Sequence, residues 1–81
     1  MSQDKTSLFE VKTIDTELTR DILHEVYEAL KERGYNPTNQ IVGYLMSDDP
    51  GYISNHKDAR KKLTKIDRTR ILEVIIRKIT N

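Results

Sequence analysis

The apolar positions of this chain fall into helical steps separated by short polar breaks. Leu18, Ile22, Leu23, Val26, Tyr27 and Leu30 recur at intervals of three and four residues, which places them on one face of a helix. Asp15 and Thr16 supply N-cap chemistry in front of that stripe. Gly34 can take the left-handed conformation that ends a helix, with Lys31 and Arg33 near its carbonyl end. The pattern predicts a first helix over residues 16–33. Asn36 followed by Pro37 reads as a cap and a first helical position, opening a second helix through Ile41, Val42, Tyr44, Leu45 and Met46. Gly43 in its middle costs about 1 kcal/mol relative to alanine unless another element packs closely there. Close packing is the expectation.

The cap-then-proline arrangement returns in Ser47-Asp48-Asp49-Pro50-Gly51 and predicts a corner with a short helical segment at 50–53. After His56, the residues Ala59, Leu63 and Ile66 form one stripe with Arg60, Lys61, Lys62 and Lys65 around it, an amphipathic basic helix. Asp67 can cap a last helix carrying Ile71, Leu72, Val74, Ile75, Ile76 and Ile79, where four-residue steps favour helix over strand. Its apolar stripe is wide for a surface helix, which places it at the centre of the domain or across a dimer seam. Residues 1–15 show no sustained period and are expected to form a flexible N-terminal tail ahead of a helical domain at 16–81. The expected fold is all-α, a small bundle of about five helices with a disordered tail.

Composition sharpens the expectation of a dimer. A chain of 81 residues hides only about 60% of the surface its unfolded state exposes. It has no cysteine, and His24 and His56 have no companions at metal-ligand spacing, so neither disulfides nor a metal can staple the fold. Self-association is the staple that remains. No window is apolar enough for a membrane span and the N-terminus has no signal-peptide core, so a cytoplasmic protein without membrane insertion is expected.

The net charge of +1 hides an asymmetry. Residues 1–50 hold five Lys or Arg against ten Asp or Glu, whereas residues 51–81 hold nine against three, giving −5 and +6. One half can attract the other within the fold or a dimer, or the basic half can face an anionic partner. Nothing marks a catalyst. There is no nucleophile beside a base, no glycine-rich loop and no metal set, and no cofactor is expected. The run Lys57, Arg60, Lys61, Lys62, Lys65, Arg68 and Arg70 has enough cations for phosphate binding, which makes a small basic-helix nucleic-acid module the alternative. The acidic first half and the scattered tyrosines argue against it.

Residues 27–60 carry a more specific signal: Gly34-Tyr35-Asn36-Pro37, then Asn39-Gln40-Ile41-Val42-Gly43-Tyr44-Leu45, Asp49-Pro50 with Tyr52-Ile53, and His56-Lys57-Asp58-Ala59-Arg60. This string resembles the IreB family of small IreB/ReoM-like regulatory phosphoproteins, and Asp4-Lys5-Thr6 is similar to the family's tail. The resemblance implies a helical homodimer without enzymatic activity. It implies phosphorylation at Thr6 by a PASTA-type Ser/Thr kinase, reversed by its phosphatase, with Ser2, Ser7, Thr13 and Thr16 as rival acceptors. It further implies control of peptidoglycan synthesis and cephalosporin resistance through Clp-dependent proteolysis of the enolpyruvyl transferase of wall-precursor synthesis. The family's basic helix makes Lys57, Arg60, Lys61 and Lys65 the expected partner-binding residues, with Arg60 the best match. A phosphate at Thr6 is then expected to change how the tail lies against Arg60, Lys61 and Lys65. Departures fall at Asp48, Ser54, Asn55, Thr69 and Arg70.

Overall fold

The computed structural model describes the backbone of residues 2–81 and the side chains of residues 15–81. Among them every regular element is helical, in the order α1 (Ser2–Glu32), α2 (Pro37–Ser47), a 3-10 turn (Pro50–Tyr52), a second 3-10 turn (His56–Asp58), α3 (Ala59–Thr64) and α4 (Arg68–Thr80). The all-α expectation holds, with four α-helices rather than about five. The missing one is the segment after Pro50. There the Asp49 carboxylate accepts from Gly51 N at 2.9 Å, and Ile53 N already closes the turn on Pro50 O at 3.0 Å, so a single 3-10 turn forms and the chain leaves it extended. Helical backbone in α1 starts at Ser2, well ahead of the predicted residue 16. Of the expected tail at 1–15, only Asp15 has a described side chain, and Thr6 lies outside the residues whose side chains are described.

The helix ends follow the chemistry of their sequences. Gly34, at φ +88°, lets Tyr35 N reach Leu30 O at 3.1 Å and Gly34 N reach Lys31 O at 3.0 Å, the paired closure that satisfies the last carbonyls of α1. Asn36 caps α2 by accepting from Asn39 N at 3.1 Å, and Asp67 caps α4 by accepting from Thr69 N at 2.8 Å.

All four helices contribute to one core. Val26, Ala29 and Leu30 of α1 meet Ile41 and Tyr44 of α2, Ile53 from the corner, Ala59 and Leu63 of α3, and Ile71 of α4. The inward face of α1 is rotated relative to the predicted stripe: Thr19 is 2% exposed and Ala29 is buried, whereas Leu18 is 55% exposed. Two small side chains, Thr19 and Ala29, face the core, which apolar periodicity alone does not register. In α4, Ile71 and Val74 are buried and Ile75 is half-buried, but Leu72, Ile76 and Ile79 stand in solvent, the last at 79%. The wide stripe is thus half core and half surface. Among the tyrosines only Tyr44 is buried, and burial pushes its hydroxyl above the ordinary range.

Gly43 does admit a close neighbour, which is the ring of Tyr52 rather than another helix. A Cβ at that position would overlap Tyr52, with Cε1 at 2.9 Å.

Candidate functional site

Of the predicted site residues, the four partner-binding ones lie on the second 3-10 turn (Lys57), on α3 (Arg60 and Lys61) and at its C-cap (Lys65), on a short stretch held against α1, while Thr6 lies outside the described side chains. Ala59 and Leu63 are the buried positions of α3, which fixes the remaining side chains at its flanks and outer face. Its entrance is unusual. Lys57 (φ 53°) and Asp58 (φ 61°) are successive residues in the left-handed region, and neither is glycine. Each such residue carries strain of about 1–2 kcal/mol. Several contacts hold the turn: Asp58 N donates to Asn55 O at 3.1 Å, His56 Nε2 lies 3.1 Å from Glu32 Oε1, and Lys57 Nζ donates to Glu32 Oε2 at 2.8 Å. The hydrogen bond from Lys57, then that involving His56, holds the Glu32 carboxyl below the ordinary glutamate range.

These contacts are part of a wider sorting of charge. Glu25 accepts from Lys62 Nζ at 2.5 Å, Asp48 lies 3.1 Å from Arg68 Nε, and Asp15 pairs with Arg70. Each ion pair between elements among the described residues joins an acid of the first 50 positions to a base of the last 31. The −5 and +6 halves are therefore matched within one chain. Exposed pairs of this kind contribute only about 0–1 kcal/mol each, so their main effect is to set which cations face solvent unpaired.

The four predicted partner-binding residues separate accordingly. Lys57 is committed to Glu32. Arg60 Nε donates to Ile53 O at 2.8 Å, and among the described residues its guanidinium meets no carboxylate, so it braces the corner and still presents positive charge. Lys61 and Lys65, one helical turn apart, are exposed and have no ion pair among the described residues. The structure places Arg60 and Lys61 on α3 and Lys65 at its C-cap, and ties Lys57 to Glu32. Nothing in the sequence alone separates Lys57 from the other three, because its partner Glu32 lies 25 residues away.

Two residues with structural roles were not singled out from the sequence. Gln40 clamps the corner reciprocally, Oε1 accepting from Ser54 N at 2.9 Å and Nε2 donating to Ser54 Oγ at 3.2 Å. Arg68, counted above only as a possible phosphate ligand, donates through Nη1 to Leu45 O at 2.8 Å. No local signal marks Gln40 or Arg68, whose partners lie 14 and 23 residues away.

A shallow groove of about 600 Å³ runs beside this element, lined by His24, Glu25, Glu28, Lys31, Glu32, Lys57 and Lys62 with Ala29 at its floor. Its charges are mixed. Among the described residues, no group of three His, Cys, Asp or Glu is placed to hold a metal ion, and no helix is long and apolar enough to cross a membrane.

Comparison with known proteins gives this arrangement its context. The model of the IreB regulatory phosphoprotein family matches residues 4–81. The chain belongs to that family. A relative described as a UPF0297 protein, from Acetivibrio thermocellus, is 51% identical over 77 residues, covering 95% of this chain and 86% of the relative. Membership points to a regulatory role.

Proposed function

We propose that the protein is a non-enzymatic, cytoplasmic regulatory phosphoprotein, phosphorylated at Thr6 by a PASTA-type Ser/Thr kinase and dephosphorylated by its phosphatase. It controls peptidoglycan synthesis, and with it cephalosporin resistance, through Clp-dependent proteolysis of the enolpyruvyl transferase of precursor synthesis. Membership of the regulatory phosphoprotein family over residues 4–81 carries this reading. The surface supports it: Arg60, Lys61 and Lys65 are the cations of the α3 element left without carboxylate partners, and they form the partner-binding face. Lys57 acts there by holding the turn, through Glu32, rather than by contacting the partner.

The acting unit is a homodimer. Leu72, Ile76 and Ile79 make an apolar strip along α4 that the single chain leaves in solvent, and a second copy is the occupant that a chain without disulfide or metal most needs.

Mapping phosphate after treatment with the kinase tests the modification: phosphate at Thr6 supports it, and phosphate confined to Ser2, Ser7, Thr13 or Thr16 overturns it. The rival reading as a nucleic-acid module predicts a mobility shift that collapses between about 50 and 200 mM salt. Four of its seven candidate cations, Lys57, Lys62, Arg68 and Arg70, are paired with carboxylates. In addition, α3 spans six residues, about 9 Å of helix, little to lay in a groove.

A further inference from the structure

The ion pairs along α1 have an order. Arg70 of α4 meets it at Asp15, Lys62 of α3 at Glu25, and Lys57 at Glu32. Asp15 and Glu25 are ten residues apart, about 15 Å along a helix axis. The N-terminal segment therefore reaches the guanidinium groups of α4 well before any cation of α3.

A cleft of about 240 Å³ lies at this point, lined by Thr16, Arg70, Glu73, Val74 and Arg77. Arg70 and Arg77 stand two turns apart on the side of α4 that faces it. Arg70 holds the Asp15 carboxylate and has Glu73 at a loose 3.8 Å, whereas Arg77 has no ion pair among the described residues. One arginine of the cleft already takes an anion, Asp15, from the leading part of the chain, and the second guanidinium is to spare.

We propose that this cleft is the receptor for the phosphate of the N-terminal segment: phosphothreonine at position 6 sits between Arg70 and Arg77 and displaces Asp15. The inference rests on the reading of Thr6 as the modified residue. A phosphate brings about −1.5 to −2 charges and three acceptor oxygens, enough to engage two guanidinium forks, where a carboxylate satisfies one. Glu73 opposes it with a single charge from a side chain that is mostly exposed. Connectivity permits the contact, since residues 7–14, extended at about 3.3 Å each, span about 26 Å. As a continuous helix, α1 would keep Thr6 about 15 Å beyond Thr16, so capture draws the first turns of α1 away from the helix axis. In this arrangement phosphorylation acts by rearranging the start of α1 and leaves Arg60, Lys61 and Lys65 exposed, in contrast to the expectation that it changes how the tail lies against them.

The test uses the full chain with phosphothreonine installed at position 6 during synthesis, so that its outcome does not depend on which residue the kinase selects. Phosphorus NMR titration should place the second phosphate pKa about 1 unit below the free value of about 6. The R70Q/R77Q variant should restore the free value and K61Q/K65Q should leave the shift intact. Should the double variant not fold, R77Q alone, at an exposed and unpaired position, should recover part of the shift. A free-like pKa in the unsubstituted chain, or a shift removed by K61Q/K65Q and not by R77Q, overturns the proposal.

Discussion

The corner between α2 and α3 and the outer face of α4 are built on opposite terms. At the corner, backbone groups that no helix can satisfy are taken up by side chains brought from a distance: Gln40 holds Ser54, Arg60 holds Ile53 O, and Arg68 holds Leu45 O. Buried Ile53 and Leu63 lie beneath them. The face of α4 has no such closure among the described residues, where Leu72, Ile76 and Ile79 stand exposed. The corner satisfies its polar groups within one copy, whereas the outer face of α4 keeps its apolar side chains in solvent.

This contrast can be broken from the corner side. Leu63→Ala should cost about 2–5 kcal/mol, since a fully buried side chain is removed from beneath the basic element; chemical denaturation would measure it. Arg68→Ala, which leaves Leu45 O and Asp48 without their partner, should cost about 1.5 kcal/mol by the same assay. An effect on stability as small as that of an exposed lysine would mean that the corner is not held by these bonds.

On the other side, Ile76→Lys with Ile79→Lys should change the unfolding free energy of the monomer by no more than about 0.5 kcal/mol while abolishing self-association in sedimentation. Unchanged association would sharpen the comparison differently, placing the dimer seam elsewhere and leaving α4 for another partner.

The smallest effect concerns Glu32. Its folded pKa lies below the unfolded one, so its contribution to stability is present above the ordinary glutamate range and is lost as pH falls through that range and below. Wild type and Glu32→Gln should therefore converge in stability at acid pH and differ slightly at neutral pH. Parallel pH profiles would show that the clamp on His56 and Lys57 contributes nothing.

Elements whose cause is local were readable in advance. Gly34, Asn36, Asp49 and Asp67 each act where the chain places them, and Ala59, Leu63 and Ile66 keep their predicted face. What escaped depends on partners distant in sequence. The rotation of α1 puts Thr19 and Ala29 in the core, where neither counts toward an apolar stripe of large residues, and the withdrawal of Lys57 from the cationic surface follows from Glu32. Periodicity marks an apolar stripe in α4 without saying that half of it stays in solvent. For the site, residue type identified Arg60, Lys61 and Lys65 as cations, but only the fold separates them from neighbours that are already neutralised.

On the proposed reading, phosphate on Thr6 rearranges the start of α1 and thereby changes how tightly the chain binds the enolpyruvyl transferase. Calorimetric titration of the purified enolpyruvyl transferase with the unmodified chain, Thr6→Ala and the chain phosphorylated at Thr6 tests it directly. The account predicts matching affinities for the first two and a difference of about tenfold or more for the third, about 1.4 kcal/mol. Equal affinity in all three would contradict it.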